Sequence, residues 1–228
     1  MFERLALASF AWFAIHAFVA GSELRWWLVQ RVGQRAFSVF FSLLSLATLL
    51  FLIDAYRKAS VSFYPLWFTP RIIRYLPLAV MPFALTLLVG AFSVPNPTAV
   101  GAERVLERTD AARGVLRITR HPFLWAVALW SGAHLLVTGH VTAILFFGSL
   151  LFTALRGTSS IDEKRRRTNK AEFTRYLAVT SNVPFSAIIQ GKNRFVLSEL
   201  WVPLVIAALL MAVLLHVHSR LFGFSPLG

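Results

Sequence analysis

Runs of apolar residues alternate with short polar and basic stretches along the chain, and this alternation predicts membrane-spanning helices. About six runs approach the roughly 20 residues that a helix needs to cross a bilayer. They cover residues 5–28, 36–53, 76–94, 117–136, 141–155 and 201–217. The pattern predicts an all-α fold, a polytopic transmembrane helix bundle that forms a single domain over residues 1–228.

The first run leaves two alternatives open. It either ends at Ala20 or continues through "GSELRWWL" to Leu28, and the "VAG" at 19–21 resembles a signal-peptidase site. The basic region before this run contains only Arg4, beside Glu3, and five more apolar runs follow. We therefore expect a retained helix rather than a cleaved signal peptide.

The composition agrees with a membrane protein, since 57% of the residues are hydrophobic and only 14% are charged. The net charge of +13 comes from basic residues that lie between the apolar runs. That placement favours topology signals and lipid headgroup contacts, and we expect no nucleic-acid binding. The absence of cysteine excludes disulfides, cysteine-ligated zinc, iron–sulfur clusters and thiolate haem ligation.

The distribution of lysine and arginine predicts the topology. If the loop 156–200 is cytoplasmic, 17 of the 23 basic residues lie inside and both termini lie outside. This loop contains "SIDEKRRRTNKAEFTRYLAVT", in which Ile161, Phe173 and Leu177 are spaced among charges. We expect it to form a cytoplasmic amphipathic segment that lies on the inner leaflet.

Two of the six histidines, His16 and His134, lie within predicted membrane helices, where polar side chains are costly and often functional. Each follows a tryptophan by four residues, Trp12 and Trp130, so each indole shares a helix face with its histidine. Two neutral imidazoles from separate membrane helices are the usual protein ligands of haem b. The alternative is that each histidine bonds a nearby carbonyl or hydroxyl and only packs.

A basic group opens the fourth run. Arg117, Arg120 and His121 suit an anion such as a phosphate, a lipid headgroup or a haem propionate. The alternative is that they are positive-inside residues and a helix cap. His121 and His134 are separated by about 20 Å along one helix, so they cannot bind one small ligand together. A zinc or di-iron site is not expected, because no carboxylate lies inside a spanning segment once the first one ends at Ala20, and Asp54 is the nearest candidate.

The sequence resembles the NnrU family of bacterial membrane proteins over nearly its whole length. The resemblance is carried by "FAIHAF", "LRWWLVQRVGQRAFSVFFSLLSL", "ITRHPFLWAVALWSGAHLLVTG", "RRRTNKAEFTRYLAVTSNVPFSAIIQGKNR" and "HSRLFGFSPLG". It implies a multi-pass protein of the bacterial inner membrane, associated with nitrate and nitrite respiration. The same pattern covers a plastid branch that isomerises 15-cis-ζ-carotene.

That branch implies a haem b whose axial ligands correspond to His16 and His134. Ferrous haem would then rotate a central cis double bond of a polyene without net redox change. The plastid branch carries a cysteine three residues before the second histidine, where this chain has Ser131. The ligand exchange attributed to that cysteine is therefore in doubt here.

Two other functional classes stay open. The "RHP" at 120–122, followed by a segment with glutamates and then "PF", also resembles isoprenylcysteine carboxyl methyltransferases. In that reading Arg120, His121, Pro122 and either Glu163 or Glu172 hold S-adenosylmethionine. The third class is a non-enzymatic accessory protein of nitrogen-oxide respiration.

Overall fold

The computed structural model describes residues 1–20, 22–59, 66–99, 101–108 and 110–226, and all regular elements in these ranges are helices. Two of the long helices contain a π-helical turn, Ile15–Ala20 after the first α-helix and Ile144–Gly148 in the sixth. The helices are α1 (Phe2–Ala14, continued by Ile15–Ala20), α2 (Glu23–Val32), α3 (Gln34–Ala59), α4 (Leu76–Ser93), α5 (Pro122–Thr138), α6 (Val141–Thr168), α7 (Lys170–Val179), α8 (Ser186–Ile189) and α9 (Trp201–Phe222).

Five of these helices are long and apolar enough to cross a membrane, and α5 is a shorter apolar helix between them. The five segments are Phe2–Val19, Gln34–Ala59, Ile73–Ser93, Val141–Thr168 and Trp201–Phe222. The prediction of a multi-pass helical bundle is therefore confirmed. With 17 residues, α5 is about 25 Å long, so it nearly matches the hydrocarbon thickness.

Several predicted boundaries differ from the structure. The first helix ends at Ala20, and the tryptophans Trp26 and Trp27 lie on the separate, exposed helix α2. The fourth run does not begin as a helix at Arg117, because a 3-10 turn, Gly114–Arg117, precedes α5. Pro122 occupies the first turn of α5, where its missing N–H leaves no intrahelical bond unmade.

The helices form two packed groups. In the first, α1 is antiparallel to α3 and also contacts α6, and their shared core includes Leu5, Trp12, Leu52 and Phe147. In the second, α4 lies between α5 and α9. A tight turn at Gly139 joins α5 to α6 and connects the two groups. The helix α1 thus contributes to the core.

The predicted amphipathic segment is helical, but its apolar side chains do not lie toward lipid as we expected. The first part belongs to α6, which extends to Thr168, and the second part forms α7. Phe173 of α7 is fully buried against Leu106, Ala111 and Tyr176. The segment therefore folds onto the loop between α4 and α5, because that loop supplies apolar partners for it.

Replacing Gly90 with alanine is expected to destabilise the protein by about 1–3 kcal/mol through overpacking. A Cβ atom at Gly90 of α4 would stand 2.2 Å from Cγ1 of Val115, so either α4 or the 3-10 turn must shift. Thermal unfolding in detergent measures the loss. Val115→Ala removes the clashing methyl groups, and the double variant should recover part of the stability. Independent, additive effects would contradict this account.

Candidate functional site

His16 lies in the π-helical turn that follows α1, an irregularity that is frequent at functional sites. Its Nδ1 atom is 2.8 Å from the carbonyl oxygen of Trp12, and its ring lies 4.1 Å from the Trp12 indole. Its Nε2 atom is 3.3 Å from Oγ of Ser45 on α3. Every nitrogen of this ring thus has a partner within the protein.

His134 lies in the last turns of α5 and repeats part of this arrangement. Its Nδ1 atom is 2.8 Å from the carbonyl oxygen of Trp130, and its ring stacks on Phe147 at 5.5 Å. Because a carbonyl only accepts, Nδ1 carries the proton and the neutral ring presents a lone pair at Nε2. A metal-ligating histidine has this form, with one nitrogen anchored and the other unprotonated.

The structure does not bring the two predicted ligands together. Trp12 of α1 donates to Oγ1 of Thr153, which lies six residues beyond Phe147 in the parallel helix α6. His16 lies four residues farther in the same direction, so it is roughly 15 Å from the level of His134 along the bundle.

A second set of contacts gives the same separation between His16 and His134 along the bundle. Tyr56 of α3 stacks on Phe146 at 4.3 Å, and Ser45, which contacts His16, lies eleven residues earlier in α3. Eleven helical residues span about 16 Å. Each imidazole alone has ligand chemistry, and this difference in level separates the two rings along the bundle; their ligation of one haem stays a prediction.

Ser131, which stands at the position of the plastid cysteine, is fully buried in α5. Its hydroxyl donates to the carbonyl oxygens of Val127 and Ala128, at 2.6 and 3.3 Å. The hydroxyl therefore satisfies backbone groups of its own helix. In the described residues no group of three or more His, Asp or Glu side chains forms a metal site, so a metal here would depend on a second histidine.

The basic group predicted at the start of α5 is bound to carboxylates. The guanidinium of Arg120 donates to both carboxylate oxygens of Asp162 on α6, at 2.5 to 3.0 Å. His121 donates from Nε2 to the same carboxylate at 2.8 Å. We call Arg120, His121 and Asp162 the buried triad, since the side chain of none is more than 8% exposed.

Burial lowers the pKa of His121, while the hydrogen bond to Asp162 opposes that shift. The ring is therefore neutral near pH 7, with its proton on Nε2, the reverse of the His134 tautomer. Its Nδ1 atom is buried and has no hydrogen-bond partner in the described part of the chain, and the same holds for the hydroxyl of Tyr176. Burial also raises the pKa of Tyr176.

Arg117 is similarly engaged. It donates to both carboxylate oxygens of Glu199, at 2.8 and 2.9 Å, and to the side-chain oxygen of Asn193 at 2.8 Å. Glu199 also accepts the backbone N–H of Gly114 at 2.5 Å. Because Glu199 lies two residues before the start of α9, this group anchors the last helix to the turn before α5. A phosphate or propionate would have to compete with Asp162 and Glu199 for these two arginines.

Asp162 and Glu199 were not among the residues predicted from the sequence. Asp162 lies within "SIDEKRRR", which reads as a solvated run, while Glu163 next to it is exposed and pairs with Arg167 at 2.6 Å. A signal exists in the spacing, because Thr158, Asp162 and Arg165 recur at helical intervals and all three are buried. Of the two glutamates proposed for S-adenosylmethionine, Glu163 pairs with Arg167 and Glu172 is partly exposed.

We expect the ion pair between Glu199 and Arg117 to weaken as the pH falls. The hydrogen bonds from Arg117 lower the pKa of this carboxyl, so its contribution to stability is present above its unfolded pKa of about 4.3 and is lost as the pH falls below that value. Glu199→Gln should cost about 1 kcal/mol at pH 7, since the pair is partly exposed. Thermal melts of both proteins from pH 7 to pH 3 measure the difference, which should shrink toward zero. A constant difference would contradict the ion pair.

Comparison with known proteins agrees with this architecture. The family described as NnrU protein matches residues 4–226. The chloroplastic 15-cis-zeta-carotene isomerase of Arabidopsis thaliana is 27% identical over 167 residues, which cover 71% of this chain and 44% of the plant protein. The match thus spans less than half of that relative, and no solved structure matches the chain. With its membrane helices in place and the family match extending over nearly every residue, the chain belongs to the NnrU family.

Proposed function

We propose that the protein holds haem b within the membrane, with His134 as one axial ligand, and acts on a lipophilic polyene of the 15-cis-ζ-carotene type. The observation that carries the proposal is the anchored Nδ1 atom of His134, which leaves Nε2 as an unprotonated donor inside an apolar helix bundle. The similarity to a carotene isomerase supports a polyene as substrate.

A bound haem would supply a redox-active iron, which lets a polyene double bond rotate with no net oxidation or reduction. The chain supplies the environment. The Trp130 carbonyl holds the proton on Nδ1, and Phe147 fixes the plane of the imidazole by stacking on it. Trp130 also lines an apolar groove between α4, α5 and α9. The hydrocarbon chain of a polyene bound in this groove would exclude water from it.

Absorption spectra of the protein, purified in detergent and measured oxidised and after dithionite, test the haem. We expect a Soret band and, on reduction, the sharp bands of a low-spin haem b. A colourless protein after expression with added haem precursor would overturn the proposal. Binding of S-adenosylmethionine to that colourless protein would establish the methyltransferase alternative.

The substrate is tested separately, in dark-grown cells that accumulate tri-cis-ζ-carotene. Expression of the protein should convert this pool to the isomer with a trans central bond, and His134→Ala should not. A red protein that leaves the pool unchanged would remove the isomerase part and favour the accessory role in nitrogen-oxide respiration.

A further inference from the structure

We propose that a polar pocket at the end of the bundle where α9 begins binds the phosphate group of an anionic phospholipid, through Lys192 and Arg113. This pocket is separate from the apolar groove that Trp130 lines, and the two share no residue. The lipid site therefore does not depend on the proposed haem or on its substrate.

The pocket lies between the 3-10 turn before α5, the last residue of α7 and the segment that leads into α9. It has a volume of about 430 Å³, and its charged lining residues are Asp110, Arg113, Arg117, Lys192 and Glu199. The uncharged ones are Ala112, Val179 and Asn193. Three basic side chains face two carboxylates, so the lining has a net charge of +1.

Both carboxylates of the pocket are already paired. Glu199 accepts two hydrogen bonds from Arg117, at 2.8 and 2.9 Å. Asp110 accepts two from Arg108, at 2.8 and 3.0 Å, and a nitrogen of Arg113 lies 3.3 Å from the same carboxylate. A single aspartate thus faces two guanidinium groups, and the charge of Arg113 is only partly neutralised.

Lys192 supplies the second cation that a phosphate needs. Its side chain is exposed, and its ammonium forms no ion pair with any other described residue. Its backbone, in contrast, is fixed, because its N–H donates to the carbonyl oxygen of Ala187 at 2.8 Å. The next residue, Asn193, donates to the carbonyl oxygen of Val179 at 2.8 Å and holds the segment against the end of α7. The ammonium is therefore held near the pocket and is available to an anion.

The position of the pocket favours a lipid over a soluble phosphate compound. Glu199 lies two residues before Trp201, where the membrane-spanning helix α9 begins, so the pocket lies at the depth of the headgroups. Trp201 is 63% exposed, as is typical of tryptophan at a membrane interface. Val205 and Leu209 follow at intervals of one turn and are exposed as well. A phospholipid with its phosphate in the pocket would extend its acyl chains along this apolar stripe.

Charge selects among the phospholipids. Phosphatidylcholine and phosphatidylethanolamine carry a cation beside the phosphate, and both carboxylates that could receive this cation are bound to arginines. Phosphatidylglycerol carries the phosphate charge alone, so it matches the net positive lining. The pocket lies at the end of the bundle that the distribution of lysine and arginine predicts to be cytoplasmic, and the cytoplasmic leaflet is rich in anionic lipids.

The test titrates the full-length protein, purified in detergent and freed of lipid, with dioctanoyl phosphatidylglycerol or dioctanoyl phosphatidylcholine. The rise in melting temperature measures the affinity for each lipid. Phosphatidylglycerol should bind more tightly than phosphatidylcholine. Lys192→Gln should weaken its binding about fivefold, which is the contribution of one basic residue near an anionic lipid surface. Lys192→Arg keeps the charge and should retain the wild-type affinity.

Arg194→Gln is the matched control, because it removes the same charge from the same exposed segment but outside the pocket lining. It should bind phosphatidylglycerol as the wild type does. Equal weakening by Arg194→Gln and Lys192→Gln would show a general attraction to a basic surface and overturn the site, as would equal affinities for the two lipids. Glycerol 3-phosphate has no acyl chains and should bind far more weakly than phosphatidylglycerol. If it binds as tightly, the pocket takes a soluble phosphate compound and the lipid is the wrong ligand.

Discussion

Asp162→Ala is expected to destabilise the protein by about 3–5 kcal/mol, because it leaves the buried guanidinium of Arg120 without its counter-ion. The side chains of Arg120 and Asp162 are 8% and 4% exposed, so water cannot replace the lost carboxylate. His121 loses its acceptor in the same substitution. Thermal unfolding in detergent, or the yield of folded protein from membranes, measures the loss.

Glu163→Ala is the matched control, since it removes the adjacent carboxylate of the same helix. Glu163 pairs with Arg167 at the surface, and pairs of this kind contribute about 0.5 kcal/mol or less. An apolar replacement of both charges, Arg120→Met with Asp162→Leu, should recover much of the stability lost in Asp162→Ala. Equal effects of Asp162→Ala and Glu163→Ala would contradict the burial of the triad.

Replacing His134 with alanine should abolish the low-spin haem spectrum, and replacing His121 should not. His134 presents an unprotonated Nε2, so its loss would remove the proposed bond to iron. His121 uses its Nε2–H to donate to Asp162, and its Nδ1 is enclosed in protein, so neither nitrogen is available to iron. Spectra of both variants, recorded with their thermal stability, test this difference.

The two variants should lose different properties: His134→Ala the low-spin spectrum, and His121→Ala thermal stability. His134→Ala should fold, lose the six-coordinate spectrum and regain it with added imidazole. His121→Ala should keep the spectrum in the fraction that folds, but unfold at a lower temperature, because Asp162 loses one of its two donors. A stable His121→Ala protein without a low-spin haem would show that the wrong histidine was chosen.

The fold could be predicted from the sequence largely because hydrocarbon imposes a simple rule. A backbone without water must form helices, so apolar length alone located the membrane helices. The boundaries depended on weaker effects. Apolar length left open whether the first helix ended at Ala20 or at Leu28. The helix α6 continues past Leu155 because buried polar residues on it, such as Asp162, pack on protein.

The candidate site was less predictable, since it depends on pairs that are distant in sequence. The Trp–His spacing correctly suggested that each histidine shares a turn with its indole, and both contacts are present. Spacing within one helix, however, contains no information about depth in a neighbouring helix. The position of His16 along the bundle is known only from contacts with other helices, those of His16 with Ser45 and of Trp12 with Thr153. Similarly, the sequence does not show which acidic residue of a charged run pairs with Arg120.

The ion pair between Glu199 and Arg117 holds the first end of α9 in place, so the helix can tilt only about that end. His218 lies about 27 Å from that anchor, so a tilt of only about 5° would move its imidazole by about 2 Å. The helix touches α4 but leaves a space toward α5, and this tilt would therefore open the groove sideways without unfolding the bundle. We expect a lipophilic molecule to enter this groove laterally from the lipid after the bundle has folded.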